Sequence, residues 1–172
     1  MGENLEVPGR SAVRTPMQWS TEPGAGFSTA EEKSFPAPLV EGDFGPESVN
    51  VAAQRVDPDS LLNWFERLIR RRRETHELAL GGIEVIQTDP VCVFAHRCDW
   101  EGETIVAVHN LGPDPVELDV PIDQEGDEDV DGAYDLFAGE HLAVEDRRLP
   151  LQLDGYGYHW FRLHRPGRRM TP

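Results

Sequence analysis

The 172-residue chain carries 32 Asp and Glu against 16 Lys and Arg, a formal charge of −16. Half of those acids fall between Arg97 and Arg147, where no Lys or Arg occurs, and such a surface excludes nucleic acid and anionic membranes as partners. The length suits one compact domain with an extension, falls short of the roughly 200 residues of a complete (β/α)8 barrel, and includes no run of about 18 apolar residues that could span a bilayer.

No apolar h-region of a secretory signal opens the chain, so a cytoplasmic protein is expected. Residues 1–56 hold Gly24, Gly26, Pro36, Pro38, Gly42, Gly45 and Pro46 without a sustained hydrophobic period. Structureless stretches of this length are uncommon inside a compact domain and are usually functional or linker-like. Trp19, Phe27, Phe35, Leu39, Val40 and Phe44 are too many large apolar groups for a solvated linker. A long loop that lies on a surface, not necessarily one of its own chain, is expected.

Residues 57–80 read as one helix. Asp57 suits the N-cap, Pro58 the first helical position, and Asp59 the positive end of the macrodipole. Leu61, Leu62, Trp64, Phe65, Leu68 and Ile69 then form an apolar stripe at helical spacing. Arg67 and Arg70 to Arg73 stand toward the C-terminal end, where cations are favoured, and Gly81-Gly82 marks the latest stop.

From 83 to 164 the pattern is all-β. Strands are expected at Ile83–Gln87, Val91–Arg97, Thr104–Asn110, Val116–Val120, Gly132–Phe137, Arg148–Leu153 and Tyr158–His164, separated by turn residues such as Asp89-Pro90, Trp100-Glu101-Gly102 and Asp154-Gly155. Short strands at this spacing indicate a sandwich of antiparallel sheets, so the chain is mainly β. Residues 165–172 form a tail. Cys92 and Cys98, six residues apart along one strand, are separated by about 20 Å and cannot form a disulfide.

Few residues suggest a site. Asp127, Asp129, Asp131 and Gly132 open like an EF-hand calcium loop, yet Ala138 stands where the bidentate Glu belongs, so an acidic hairpin tip is the better reading. The histidines His76, His96, His109 and His159 are spread out and read as structural. Tyr156, Tyr158 and Trp160 alternate along the last strand, as a sugar-stacking platform or as core. No phosphate loop, nucleophile elbow or metal signature appears, and no cofactor is expected.

Three stretches resemble one family in the right order. Val13-Arg14-Thr15-Pro16-Met17-Gln18-Trp19, then Gly26-Phe27-Ser28, is similar to the loop after the eighth barrel strand in the trehalose synthases and related α-glucosidases of the α-amylase superfamily, glycoside hydrolase family 13. Val49-Asn50-Val51 to Gln54, then Asp57-Pro58-Asp59-Ser60-Leu61-Leu62-Asn63-Trp64-Phe65, resembles the approach to their last barrel helix. Val108-His109-Asn110-Leu111 and Gly155-Tyr156-Gly157-Tyr158-His159-Trp160 resemble their C-terminal β-domain.

The resemblance implies a C-terminal β-sandwich preceded by a long loop and one helix that would complete a (β/α)8 barrel. Retaining glycoside chemistry needs two carboxyl groups about 5–5.5 Å apart. In the family these stand at the ends of middle barrel strands, upstream of the position matched by Arg14, so this polypeptide alone is expected to be non-catalytic. Pairs such as Glu31/Glu32 and Glu145/Asp146 receive no catalytic role. The resemblance places Arg14 near the pocket for the non-reducing glucose, where a guanidinium suits hydroxyls or a pocket carboxylate. The substrate implied is a maltose-type α-glucoside, bound only in a complete barrel, which a separate polypeptide could supply. A free-standing module that binds carbohydrate or pairs with such a barrel is the alternative.

Overall fold

The computed structural model describes Arg10, residues 13–122 and residues 130–167, and divides into two compact units, Met1–Arg70 and Arg71–Pro172. The first unit is largely irregular. Short 3-10 turns at Pro23–Gly26, Glu32–Ser34 and Gly42–Phe44 punctuate it. Long-range polar contacts hold it together: Gln18 Nε2 donates to the carbonyls of Phe44 (3.1 Å) and Val49 (2.6 Å), and the Val51 and Ala52 amides donate to the carbonyls of Gln18 and Trp19.

Two helices stand where a single one was expected at 57–80, and a further helix precedes them. Helix α1, Val51–Val56, lies inside the stretch expected to be loop. Asn50 caps it, accepting from the Ala53 amide at 2.8 Å. Six residues are too few to display a 3.6-residue period, and only the cap could have announced it. Helix α2, Leu61–Glu74, begins three residues later than Asp57 as cap would set it. The Asp57 carboxylate is spent on the Asp59 amide (3.0 Å), and Ser60 is the cap, its Oγ accepting from the Asn63 amide at 3.3 Å. Gln54 Oε1 takes a further first-turn donor, the Leu62 amide, at 2.9 Å. A third helix, α3 at Glu77–Leu80, follows after Thr75, and Gly81 ends it.

The second unit holds eight strands: β1 (Gly82–Ile86), β2 (Val93–Trp100), β3 (Glu103–Asn110), β4 (Val116–Pro121), β5 (Gly132–Asp135), β6 (His141–Ala143), β7 (Arg148–Leu153) and β8 (Tyr158–His164). They form a six-stranded sheet in the order β1-β2-β3-β8-β5-β6 and a two-stranded sheet β4-β7, every pair antiparallel. The chain crosses to the small sheet at β4, returns for β5 and β6, crosses again at β7 and returns at β8, as in a sandwich. Val93, Ala95, Val106, Val108, Ala133, Phe161 and Leu163 from one sheet meet Val120, Leu149, Leu151 and Leu153 from the other. Burial alternates strictly along β7, the signature of a sheet with one solvated face.

Seven strands fall where expected, β7 and β8 with the expected bounds and the other five with shifted ends. β2 starts after Cys92 and runs on to Trp100, because Glu101 (φ 51°) and Gly102 (φ 81°) form a tight two-residue hairpin turn into β3. β5 stops at Asp135 rather than Phe137, since the Asp135 carboxylate accepts from the Phe137 and Ala138 amides and turns the chain. β6, only three residues long and at the sheet edge, was not expected from the sequence. The two cysteines are free.

Candidate functional site

The Arg14–Trp19 segment is held by its backbone and by Gln18, and it presents the rest. Pro16 is buried, whereas Arg14 is exposed, as are Met17 and Trp19 at about half of their surface. Among the described residues the Arg14 side chain has no hydrogen-bond or ion-pair partner; only its amide is tied, to the Arg10 carbonyl at 3.0 Å. Gln18 thus acts as the internal staple of the loop, and its Oε1 is buried without a partner among the described residues.

Leu61, Phe65 and Ile69, spaced four apart on α2, form a stripe that is 62%, 47% and 54% exposed. Val56 just before it is 83% exposed. Among the described residues of this unit the buried apolar side chains are Ala25, Ala37 and Pro16, so it has almost no core of its own. Every described Asp and Glu from 13 to 70 is also exposed, including Glu31 and Glu32, and Glu31 pairs with Lys33.

In the second unit the acidic motif is divided. Asp127 and Asp129 lie outside the described residues. Asp131 Oδ1 meets His164 Nδ1 at 2.6 Å, and the chain beyond it becomes the paired strand β5 rather than a cation loop. Asp135 is buried beside His159. Burial favours its neutral form, but hydrogen bonds from His159 and from the Ala138 and Phe137 amides outweigh that and hold the carboxyl below its usual range.

Two of the histidines, far apart in sequence, come together in the sheet. Phe94 and His96 on β2, His109 on β3 and Tyr158 on β8 stack in a row across the outer face of the six-stranded sheet. The rings of His96 and His109 are parallel, 6.2 Å apart. Burial lowers the proton affinity of both, and for His109 the charge of His96 adds to this. Residues 94, 96 and 109 share a face because Phe94 pairs with His109 in the β2/β3 register, a long-range fact that spacing does not reveal. Tyr158 and Trp160 pack on Phe137, with ring centroids 5.1 and 5.0 Å away, while Tyr156 is exposed in the preceding turn.

Two family descriptions match the chain: "Alpha amylase, catalytic domain" over residues 1–81 and "Sucrose hydrolase-like, C-terminal domain" over residues 102–162. The trehalose synthase of Pimelobacter sp. (strain R48) is 36% identical over 174 residues, covering 96% of this chain and 30% of that protein. The trehalose synthase/amylase of Mycobacterium tuberculosis is 30% identical, covering 95% of this chain and 28% of its own length. The chain therefore spans less than a third of these relatives. Among solved structures, the trehalulose synthase of Pseudomonas mesoacidophila MX-45 superposes with a TM-score of 0.67 at 23% identity, over 94% of this chain and 27% of that one, a likeness of fold. No helix among the described residues is long and apolar enough to cross a membrane. The catalytic-domain match ahead of a C-terminal-domain match, with trehalose synthases aligned along nearly the whole length, makes this chain a member of the α-amylase superfamily, glycoside hydrolase family 13, corresponding to the C-terminal region of trehalose-synthase-like enzymes.

Proposed function

We propose that this polypeptide is the closing, non-catalytic portion of a cytoplasmic enzyme that acts on maltose-type α-glucosides, interconverting maltose and trehalose. The observation that carries this reading is the first unit: a loop and two helices with almost no core of their own and a stripe of Leu61, Phe65 and Ile69 facing solvent. Fully burying each such side chain is worth about 1.5–3 kcal/mol, so a covering partner gains several kcal/mol from the stripe alone. The partner is the barrel that carries the catalytic carboxylates, in the same polypeptide or a separate one. Arg14, exposed on a pinned loop, then reaches the glucose pocket of the completed barrel and holds hydroxyls or a pocket carboxylate through its planar donors.

The test is an assay of the purified chain on maltose, with trehalose and glucose read by chromatography. The chain alone is expected to show no turnover. Adding the Pimelobacter trehalose synthase truncated ahead of the region matched here is expected to restore it, and Arg14→Ala is expected to raise KM in the restored enzyme. Turnover by the chain alone would sink the reading.

A further inference from the structure

Arg14 is the side chain that the function proposed above brings to the glucose pocket, and its own contacts do little to place it. Its amide donates to the Arg10 carbonyl (3.0 Å), and among the described residues Thr15, Pro16 and Met17 make no hydrogen bond. Pro16 has no N–H to give, and it confines Thr15 before it to extended backbone. The stretch is stiff but untethered as far as Gln18.

At Gln18 it is tied down. The Gln18 Nε2 donates to two carbonyls at once, Phe44 (3.1 Å) and Val49 (2.6 Å), and the Gln18 carbonyl accepts from the Val51 amide (3.0 Å). Both side-chain partners are acceptors, so only the NH2 end of the amide can face them. Oε1 is thereby turned into a buried position without a partner among the described residues. A buried polar atom left unpaired is rare and calls for a reason. Here the reason is the pair of donors at the other end of the same group. A Glu would set oxygen against oxygen, and a Met would offer no N–H.

The two carbonyls lead directly to the helices. Val49 and Val51 flank Asn50, 6% exposed, which caps α1 by accepting from the Ala53 amide at 2.8 Å and donates to the Pro46 carbonyl at 2.9 Å. Ser60 Oγ (2.6 Å) and Asn63 Nδ2 (2.9 Å) both donate to the Gln54 carbonyl and so fix α1 to the start of α2. A continuous set of bonds runs from α2, which carries the exposed apolar stripe, through α1 to Gln18. From there the chain needs four more residues, at most about 14 Å, to reach Arg14. The other route is far longer. Val49 is 31 positions from Gln18 along the chain, by way of irregular loop and short 3-10 turns. The Ala52 amide adds a bond to the Trp19 carbonyl, but only the Gln18 side chain spans to Phe44 and Val49.

We propose that Gln18 is a positioning residue for the reaction: without touching substrate, it sets the placement of Arg14 in the glucose pocket by locking the Arg14–Trp19 segment to the start of α1. The role rests on the function proposed above. The test is a double-mutant cycle in the restored enzyme, this chain with the truncated Pimelobacter synthase, comparing wild type, Gln18→Met, Arg14→Ala and the double variant on maltose. Gln18→Met keeps the side chain's size and removes both donors. Its KM is expected to rise about tenfold, the scale of one lost hydrogen bond from a charged group, with kcat within about twofold of wild type. In the Arg14→Ala background the same substitution is expected to change neither constant, because the group it positions is gone. Gln18→Asn keeps an amide on a shorter stem that reaches only one carbonyl; its KM is expected to fall between, and it takes the place of Gln18→Met if that variant restores no turnover. If neither variant restores turnover, Gln18 serves the fold alone and the role falls. Hydrogen exchange at the Ala53 amide is expected to stay as slow as in wild type, and lost protection there would overturn the role in the same way. An unchanged KM in Gln18→Met, or a rise of equal size with and without Arg14, would overturn the role and leave the function standing. A wild-type chain that restores no turnover defeats the function above, and the role of Gln18 with it.

Discussion

Glu77 and Arg162 offer the sharpest test of the second unit's packing. Glu77 opens α3 and Arg162 lies on the outer face of β8; each is 5% exposed, and the guanidinium reaches the carboxylate through Nε at 3.1 Å and Nη2 at 3.5 Å. Removing one member of a buried pair typically costs about 3–5 kcal/mol, because the remaining charge stays desolvated without its counterion. Glu77→Ala is therefore expected to lower the stability of this unit by that amount. With a urea dependence of about 1.5 kcal/mol per molar, the midpoint drops by roughly 2–3 M. Glu66→Ala is the internal comparison: its partner Arg70 is also four residues along α2, but both side chains are about two-thirds exposed, and the expected loss is below about 0.5 kcal/mol. Replacing both Glu77 and Arg162 by Met removes the charges together and is expected to recover most of the loss. Urea unfolding followed by far-UV circular dichroism reads all four proteins. A Glu77→Ala loss no larger than that of Glu66→Ala would refute the account of α3 as locked to the sheet by a desolvated pair.

Two further outcomes follow from local geometry. Ser60→Ala is expected to cost about 1 kcal/mol and fray the start of α2, whereas Asp57→Ala costs less; hydrogen exchange at the Asn63 amide distinguishes them, and equal effects would count against Ser60 as the cap. His96 and His109 both have lowered folded proton affinity. Their unfolded pKa is about 6.5, so the unfolded chain binds more protons below it, and their share of stability is complete above that value and lost as pH falls through it toward the folded values. Thermal midpoints are expected to fall between about pH 7 and pH 5, and a His96→Asn/His109→Asn variant to flatten that slope. An equal slope in both proteins would mean other groups carry it.

The β-domain was legible because its information is local. Alternation along Arg148–Leu153 and the turn signals between strands fix strand positions without knowledge of partners, and burial follows that alternation. Errors fell where a side chain bonded its own neighbourhood: Asp135 turning the chain after β5, and Ser60 rather than Asp57 capping α2. In each case a side chain's bond to nearby backbone amides set where the element ends, and spacing alone does not say which side chain makes it. The histidine row was illegible for a different reason: it depends on pairing register across strands, Phe94 with His109 and His109 with Tyr158.

The first unit failed to be legible in a third way, and the failure is informative. Its loop shows no hydrophobic period, its helix α2 shows one, and in both the structure leaves large apolar side chains substantially exposed: Met17, Trp19 and Phe44 on the loop, Leu61, Phe65 and Ile69 on α2. Exposed apolar patches of this kind mark interaction surfaces, as the function proposed above requires. The polar network from Gln18 to Phe44 and Val49, and from Asn63 to the carbonyls of Gln54 and Asp57, fixes the backbone without needing a core. Backbone fixed by hydrogen bonds and side chains left for a partner is the physical form expected of a barrel-closing loop, and it separates this unit's role from that of the sandwich, whose core is complete within itself.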